Sequence, residues 1–296
     1  KGQMIRILIF GANGMLGHKL VQQFGPKFDV FGTIRGTFEA VEKYGIFDQA
    51  KIIEEVSATD IASIEAAVQT AQPDVVINAI GIIKQVPSAK DVITTLEINS
   101  IFPHRLAEFG EKYGFRLITI STDCVFDGVR GFYNEEDTPN ATDLYGKSKN
   151  LGEITGPNCL TIRSSIIGRE LDSSHSLIEW FLTKSGKTIK GFANAIYSGF
   201  PTIVFANIIA SLIIDHKDLS GLHHIAAEPI NKFDLLTLVN KYFNAGVTLD
   251  RDEDFRIDRS LDGSRFANLT GFKPQPWEEM INRMAGDPTP YDSFRL

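Results

Sequence analysis

Tyr145 and Lys149 stand four residues apart in Tyr145-Gly146-Lys147-Ser148-Lys149. On a helix that spacing puts both side chains on one face, roughly 5–6 Å apart at Cβ. A free phenol has a pKa of ~10 and exchanges protons poorly at neutral pH. A neighbouring ammonium favours the phenolate and lowers that value. A tyrosine tuned in this way can pass a proton to or from a carbonyl or alcohol oxygen. The spacing also arises by chance in many helices, so its meaning depends on what surrounds it. Two other stretches bear on that. Ser121-Thr122-Asp123 offers two hydroxyls and a carboxylate, and Thr122 or Ser121 can hydrogen-bond a substrate carbonyl beside the tyrosine. Gly11-Ala12-Asn13-Gly14-Met15-Leu16-Gly17 spaces its glycines as in dinucleotide-binding turns. There Gly11 permits the tight turn, Gly14 lets the backbone approach a pyrophosphate, and Gly17 lets helix and strand pack closely.

These stretches need elements to position them. A β-branched apolar run over 5–10 predicts a strand buried on both faces, leading through the glycine turn into a helix ending near 24. Further strands are expected over 28–33, 51–56, 75–80, 115–120 and 158–163. Between them fall helices over 59–71, 88–113 (with interruptions) and 141–155, the last carrying Tyr145 and Lys149, and a loop over 125–139. Strand and helix alternate six times, which predicts an α/β fold with a doubly wound parallel sheet. In such sheets ligands bind at the carboxyl ends of the strands, where Ser121-Thr122-Asp123 is expected. Arg35 follows the second strand, and an arginine there suits a 2′-phosphate, although a solvated surface arginine is the alternative.

After Arg169 the rhythm changes. Helices over 176–184, 201–215, 231–242 and 277–284 alternate with short strands over 187–190 and 221–225. This predicts a dinucleotide-binding part over 1–168 and a smaller α+β substrate-binding lobe over 169–296, interleaved as one cooperative unit. The 296 residues are 43% hydrophobic and 23% charged, an ordinary globular composition. The net charge of -7 argues against a nucleic-acid partner. No apolar run approaches the ~18 residues of a transmembrane helix. Residues 1–3 read as a remnant ahead of Met4, and no signal peptide is visible. The two cysteines form neither a disulfide framework nor a metal-ligand set. No metal is expected, and a reducing cytoplasm fits. Cys124 reads as a small buried residue rather than a nucleophile, and His223-His224 as structural.

With these stretches in order, the sequence resembles the extended short-chain dehydrogenase/reductases, in their dTDP-4-dehydrorhamnose reductase branch. The resemblance runs from about 4 to 215 and rests on the glycine turn, Pro73 to Ala79, Ser121 to Gly128, Tyr145 to Lys149 with Gly152-Glu153, Arg163 to Gly168, and Gly199 to Thr202. It implies a Rossmann NAD(P)-binding fold and reduction of a nucleotide-diphosphate 4-keto-6-deoxysugar, as in O-antigen and other cell-surface polysaccharide synthesis. NADPH is the expected cofactor, with NADH an option, and a homodimer is left open. Tyr145 is then the proton donor, Lys149 its tuner and ribose anchor, and Thr122 the hydroxyl that orients the keto group. The implied cofactor contacts begin with Gly11, Asn13, Gly14, Met15, Leu16 and Gly17. Arg35, Ser57, Ala79, Gly81, Asn99 and Ser121 extend them, with Tyr145 and Lys149 at the nicotinamide end. Lys84, Asp123, Arg169 and Ser198 are candidate substrate contacts.

Two departures from the family pattern stand out. Ser57 occupies a place where the family often has an acidic residue for the adenine amino group. The turn Gly81-Ile82-Ile83-Lys84-Gln85 differs from the alanine- and tyrosine-rich turn of rhamnose reductases, which borders the substrate, so the resemblance leaves room for a different sugar. Two further readings remain: an epimerase or dehydratase of the same superfamily, and a regulatory subunit that binds NADP without turnover.

Overall fold

Ile7 to Phe10 are fully buried because β1 (Arg6–Phe10) lies inside a parallel sheet with helices on both faces. Successive side chains point to opposite faces. Ile7 and Ile9 join one apolar layer with Leu20, Phe24, Phe205 and Ile209, while Leu8 and Phe10 join a second with Val68, Phe102 and Leu106. The structure is a computed structural model and describes residues 4–84 and 87–295. Gln85, part of the turn singled out above, and residues 1–3 lie outside them.

The next strands are β2 (Asp29–Thr33), β3 (Ile52–Ile53), β4 (Val75–Asn78), β5 (Arg116–Thr122) and β6 (Cys159–Ser164). They are followed by β7 (Ile166–Ile167), β8 (Thr188–Tyr197), β9 (Phe200–Pro201), β10 (Gly221–His224), β11 (Ile230–Asn231) and β12 (Thr248–Asp258). Among the described residues the main sheet has seven parallel strands in the order β10-β6-β5-β4-β1-β2-β3. The order reverses between β1 and β4, which opens a crevice at their carboxyl ends. A small sheet, β11-β8-β12, and the pair β7-β9 stand beside it. The strand β10 comes from the second half of the chain yet forms an edge of the main sheet, so the two parts share a core.

Several element bounds differ from the sequence expectation. The third strand shrinks from 51–56 to Ile52–Ile53. The interrupted helix expected over 88–113 breaks at a π-helical turn: Val92–Leu96 runs into Glu97–Ile101 before Phe102–Tyr113. Pro103 explains the new start, because it lacks an N–H and suits a first helical turn. The strand expected over 187–190 extends to Tyr197, and β12 was not anticipated at all. Its sequence, Thr-Leu-Asp-Arg-Asp-Glu-Asp-Phe-Arg-Ile-Asp, is largely exposed and lacks an apolar alternation. The helix Ser264–Thr270 was also not anticipated.

The glycine turn is held by backbone bonds, Gly14 N to Gly11 O at 3.1 Å and Ala12 N to Thr33 O at 2.9 Å. A Cβ on Gly17 would stand 1.9 Å from Gly11 O, a collision that no side-chain motion relieves. Gly17→Ala is therefore expected to cost about 3 kcal/mol, the upper end of overpacking penalties. A urea-unfolding midpoint equal to the parent's would contradict this.

Candidate active site

The helix Leu144–Leu151 brings Tyr145 and Lys149 to the carboxyl end of β5. Asp143 caps it, its Oδ1 accepting from Gly146 N at 3.0 Å, and Gly152 ends it. It is shorter than the expected 141–155 for that reason. Gly146 permits the approach, since a Cβ there would stand 2.3 Å from Cys124 O. The π-helical turn supplies a clamp from the other side. Asn99 accepts from Ile82 N at 2.9 Å, donates to Ile82 O at 3.2 Å, and donates to Ser148 Oγ at 3.1 Å. It thereby ties the turn after β4 to the tyrosine helix. A π-turn at such a place is common near functional sites.

A cavity of about 570 Å³ opens at this point. Its walls include Gly14, Met15 and Leu16 from the glycine turn, Ala79 and Gly81 after β4, and Ser121, Thr122, Asp123, Tyr145 and Lys149. Ser165 joins them just after β6, and the second lobe adds Tyr197, Lys232 and Arg259. The volume is within the range of small-molecule sites, roughly 300–1,000 Å³.

The two hydroxyls of the Ser-Thr pair have separate duties. Ser121 Oγ donates to Glu153 Oε1 at 2.6 Å and is committed to the structure behind the site. Thr122 Oγ1 faces the tyrosine, accepts from Cys124 N at 3.1 Å, and lies 3.3 Å from Asp123 Oδ1. Thr122 is thus the hydroxyl available to a substrate carbonyl.

The electrostatics correct one expectation. Lys149 does not lower the phenol of Tyr145. Burial pushes that phenol well above its ordinary value; Cys124 adds to the shift, the Thr122 hydroxyl opposes it, and Asp123 and Asp143 add to it. The accessible area of Tyr145 and Lys149 is that of cavity walls, so the protein's low dielectric still dominates. Lys149 Nζ donates to Ile120 O at 2.7 Å. Burial lowers its pKa to about 8, while Glu153 favours the charged form. Burial also pushes the Cys124 thiol up to about 12, with Asp123 adding to the effect, so the thiol stays protonated. Asp123 is itself raised, by burial first.

Other expected site residues fall elsewhere. Arg35 is exposed just after β2, and Ser57 is half-buried with its hydroxyl 3.0 Å from Thr59 Oγ1; neither lines the cavity. Gly11 and Gly17 shape the turn without lining the cavity, Asn13 is exposed on it and outside the cavity, and Asn99 acts as the clamp described above. Arg169 is spent on Glu179 and on Asp292 at 2.7 Å, outside the cavity, because the acidic partners neutralise it there. Ser198 is buried and accepts from Leu261 N at 2.9 Å, so it serves the backbone of the lobe. Lys84 does line the cavity, 3.2 Å from Asp143 Oδ2, with its ammonium 5.5 Å from the Tyr145 ring centroid.

Lys232 and Arg259 were missed in the sequence. Lys232 opens the helix Lys232–Phe243, and its charge is felt at Asp123. Arg259 follows β12 and donates from Nε to Phe126 O at 2.9 Å, fastening the loop after Thr122 to the second lobe. Neither lies in a motif, and only the tertiary fold brings them to the site.

The glycine turn fits an anionic dinucleotide. No side chain caps the start of the helix Met15–Phe24, and its first turn holds no acidic residue, so its free N–H groups can meet a phosphate. Beside Lys149, a Cβ on Gly81 would stand 3.7 Å from Nζ, so the glycine leaves room there.

Comparison with known proteins agrees with this geometry. A dTDP-4-dehydrorhamnose reductase of Aggregatibacter actinomycetemcomitans is 26% identical over 235 residues, 76% of this chain and 74% of the relative. Methionine adenosyltransferase 2 subunit beta of Danio rerio is 30% identical over 258 residues, 81% of this chain and 74% of the relative. Its bovine counterpart aligns over 50% of this chain and 41% of its own length. A crystal structure of dTDP-4-dehydrorhamnose reductase from Bacillus anthracis in complex with NADP superposes with a TM-score of 0.77 at 23% identity, covering 96% of this chain and 98% of that one. The model of the RmlD substrate binding domain family matches residues 5–288, and the chain belongs to that family, within the extended short-chain dehydrogenase/reductases.

Proposed function

We propose that the chain is an NAD(P)H-dependent reductase of a nucleotide-diphosphate 4-keto-6-deoxysugar, with NADPH preferred and NADH an alternative. The convergence of Thr122, Tyr145 and Lys149 on one cavity that also reaches the glycine turn carries this reading. The turn at Gly14 to Leu16 would hold the pyrophosphate, Ala79 and Gly81 would flank the cofactor, Lys149 would hold the nicotinamide ribose, and Arg35, exposed after β2 outside the cavity, would meet a 2′-phosphate that reaches beyond it. When bound, the nicotinamide supplies the hydride. Thr122 and Tyr145 hold the substrate carbonyl oxygen between their hydroxyls. Tyr145 gives that oxygen its proton as the carbonyl carbon becomes a carbinol, and the Lys149 ammonium stabilises the phenolate left behind. Lys84, Lys232 and Arg259 give the cavity the positive charge that suits a sugar-linked diphosphate.

In this reading the product enters surface-polysaccharide synthesis such as O-antigen assembly, in the cytoplasm where nucleotide sugars are made. Residues 1–168 carry the cofactor and 169–296 most of the substrate wall. No helix among the described residues is long and apolar enough to cross a membrane. Purified protein is expected to oxidise NADPH with at least one member of a panel of dTDP-, UDP- and GDP-linked 4-keto-6-deoxysugars. A folded preparation inactive on the whole panel would reject the reading. The likeness to methionine adenosyltransferase β subunits favours one alternative, a subunit that binds the nucleotide without turnover. Stable capture of a synthetase partner together with inactivity on the panel would select it. The complete proton-donor set speaks for the reductase.

A further inference from the structure

Asp287 to Arg295 tie together two segments of the cavity wall. The turn Tyr291–Arg295 puts the Tyr291 ring into one apolar cluster with Ala12 of the glycine turn, Tyr44 and Leu171, with Phe294 packed beside it. The stretch is anchored first on the helix Met15–Phe24. The buried Lys19 ammonium pairs with Asp287, and Gln22 Nε2 donates to Thr289 Oγ1 at 3.0 Å. At its other end Arg295 donates to Glu170 O at 2.6 Å and to Ser173 O at 3.0 Å, and both of those residues line the cavity.

A short relay runs between these anchors. His18 is fully buried, with Nδ1 2.7 Å from Gly14 O and Nε2 2.7 Å from the Tyr291 hydroxyl. A carbonyl oxygen only accepts, so Nδ1 carries the proton and donates. Burial lowers the His18 pKa to about 4, against the pull of the Gly14 bond, so the ring is neutral. Nε2 therefore accepts from the Tyr291 hydroxyl, for which Asp287 Oδ2 at 3.4 Å is the more distant acceptor. Gly14 O also accepts from His18 N at 3.1 Å. The helix needs only that backbone bond. The imidazole and a partner 273 residues away along the chain add a second hold on the same oxygen.

That hold reaches the cavity through peptide geometry. In a planar trans peptide the C=O and the N–H point in opposite directions. Holding Gly14 O toward His18 therefore holds the Met15 N–H away from it, and Gly14 and Met15 both line the cavity. Met15 opens the helix whose uncapped start suits a phosphate.

We propose that Tyr291 is a positioning residue for the dinucleotide, holding the Gly14–Met15 peptide through His18 in the orientation that presents the Met15 N–H to the pyrophosphate. This rests on the dinucleotide reading of the glycine turn given above. Tyr291 lies outside the cavity lining and touches neither cofactor nor substrate.

The test reads NADPH and NADH binding to the folded protein by nicotinamide fluorescence, without substrate. Tyr291→Phe keeps the ring and removes only the hydroxyl. It is expected to weaken NADPH binding roughly tenfold, the upper end for one neutral hydrogen bond. Where the parent turns over a sugar nucleotide, KM for NADPH should rise by the same factor while kcat at saturation holds. His18→Leu should weaken binding at least as much, and adding Tyr291→Phe to it should cost no further affinity, because the relay is already cut. Thr161→Val serves as the control for stability. Its hydroxyl bonds Ile154 O at 2.6 Å and Ile154 N at 3.0 Å outside the cavity, so this variant should melt earlier yet bind NADPH like the parent. Parent-like affinity in Tyr291→Phe overturns the proposal, whatever its melting temperature. An equal loss in Thr161→Val overturns it too, since general stability would then explain the effect, and so do additive losses in the double variant. If His18→Leu does not fold, Tyr291→Phe and Thr161→Val decide between them. A parent that binds neither nucleotide overturns the dinucleotide reading and the proposal with it. A parent that binds NADPH but reduces no sugar nucleotide rejects the reductase reading alone, and the same affinity comparison still judges Tyr291.

Discussion

Replacing Tyr145 with Phe is expected to lower kcat by about 10²–10⁴, the usual contribution of a positioned general acid. KM and the affinity for NADPH should change little, because only the hydroxyl is removed and the ring that lines the cavity remains. Burial holds the phenol well above its ordinary pKa, so in the proposed reaction Tyr145 would enter as the neutral acid across the working pH range. That is the form a reductase needs. The difficulty comes after donation, when a phenolate stands in a poorly solvated wall. In the proposed reaction Lys149 would answer it as a cation rather than as a tuner of the resting phenol. Its pKa lies near 8, so its charge is lost as pH rises through about 8. In the parent, kcat is therefore expected to fall on the alkaline side of about 8. A pH profile flat from neutrality to pH ~10, close to the unperturbed lysine value, would deny Lys149 that part. A Tyr145→Phe protein that keeps full kcat would remove Tyr145 from the chemistry.

The sequence spoke most clearly where chemistry demands backbone shape. The glycine turn, the carboxyl end of β5 and the tyrosine helix are local stretches, and their order along the chain gave a meaning that none of them had alone. The parallel sheet followed because six strand-like runs alternate with helices, while the strand order came only with the structure. Other features were not legible for physical reasons. Spacing brings Tyr145 and Lys149 together but says nothing of dielectric, so the direction of the phenol's shift was misjudged. Arg169 looked available because Glu179 and Asp292 reach it only through tertiary packing. Spacing alone left Ser121 and Thr122 interchangeable and the family resemblance chose Thr122; the Glu153 side chain behind β5 is what separates them physically. Lys232, Arg259 and Tyr197 come from a lobe whose charged strand, β12, hides its partner-dependent pairing with β8.

The same Glu153 underlies the largest expected change in stability. It forms a two-pronged ion pair with Arg163, Nε to Oε1 and Nη2 to Oε2 both at 2.8 Å, and both side chains are under one-tenth exposed. Arg163 also stacks over Phe126, 5.2 Å from its centroid, and its Nη1 lies 3.2 Å from His224 Nε2. Burial, aided by Arg163, lowers the His224 pKa to about 3, so the ring is neutral. Nδ1 then donates to Tyr133 O at 3.0 Å and Nε2 accepts from the guanidinium. Glu153→Ala leaves that guanidinium buried without its counter-ion and is expected to cost about 3–5 kcal/mol. This is a large share of a typical domain stability of about 5–15 kcal/mol. Ser121 loses its acceptor in the same step. A second readout follows from Lys149, whose charged form Glu153 favours. In any Glu153→Ala protein that folds, the alkaline fall in kcat should begin at lower pH than in the parent. Adding Arg163→Met should recover most of the lost stability, because an apolar pair of similar volume can replace a buried ion pair at little net cost. The lost pH range should not return, since the methionine restores packing but supplies no negative charge beside Lys149. Recovery of both properties together would mean that Glu153 acts on Lys149 only through the fold.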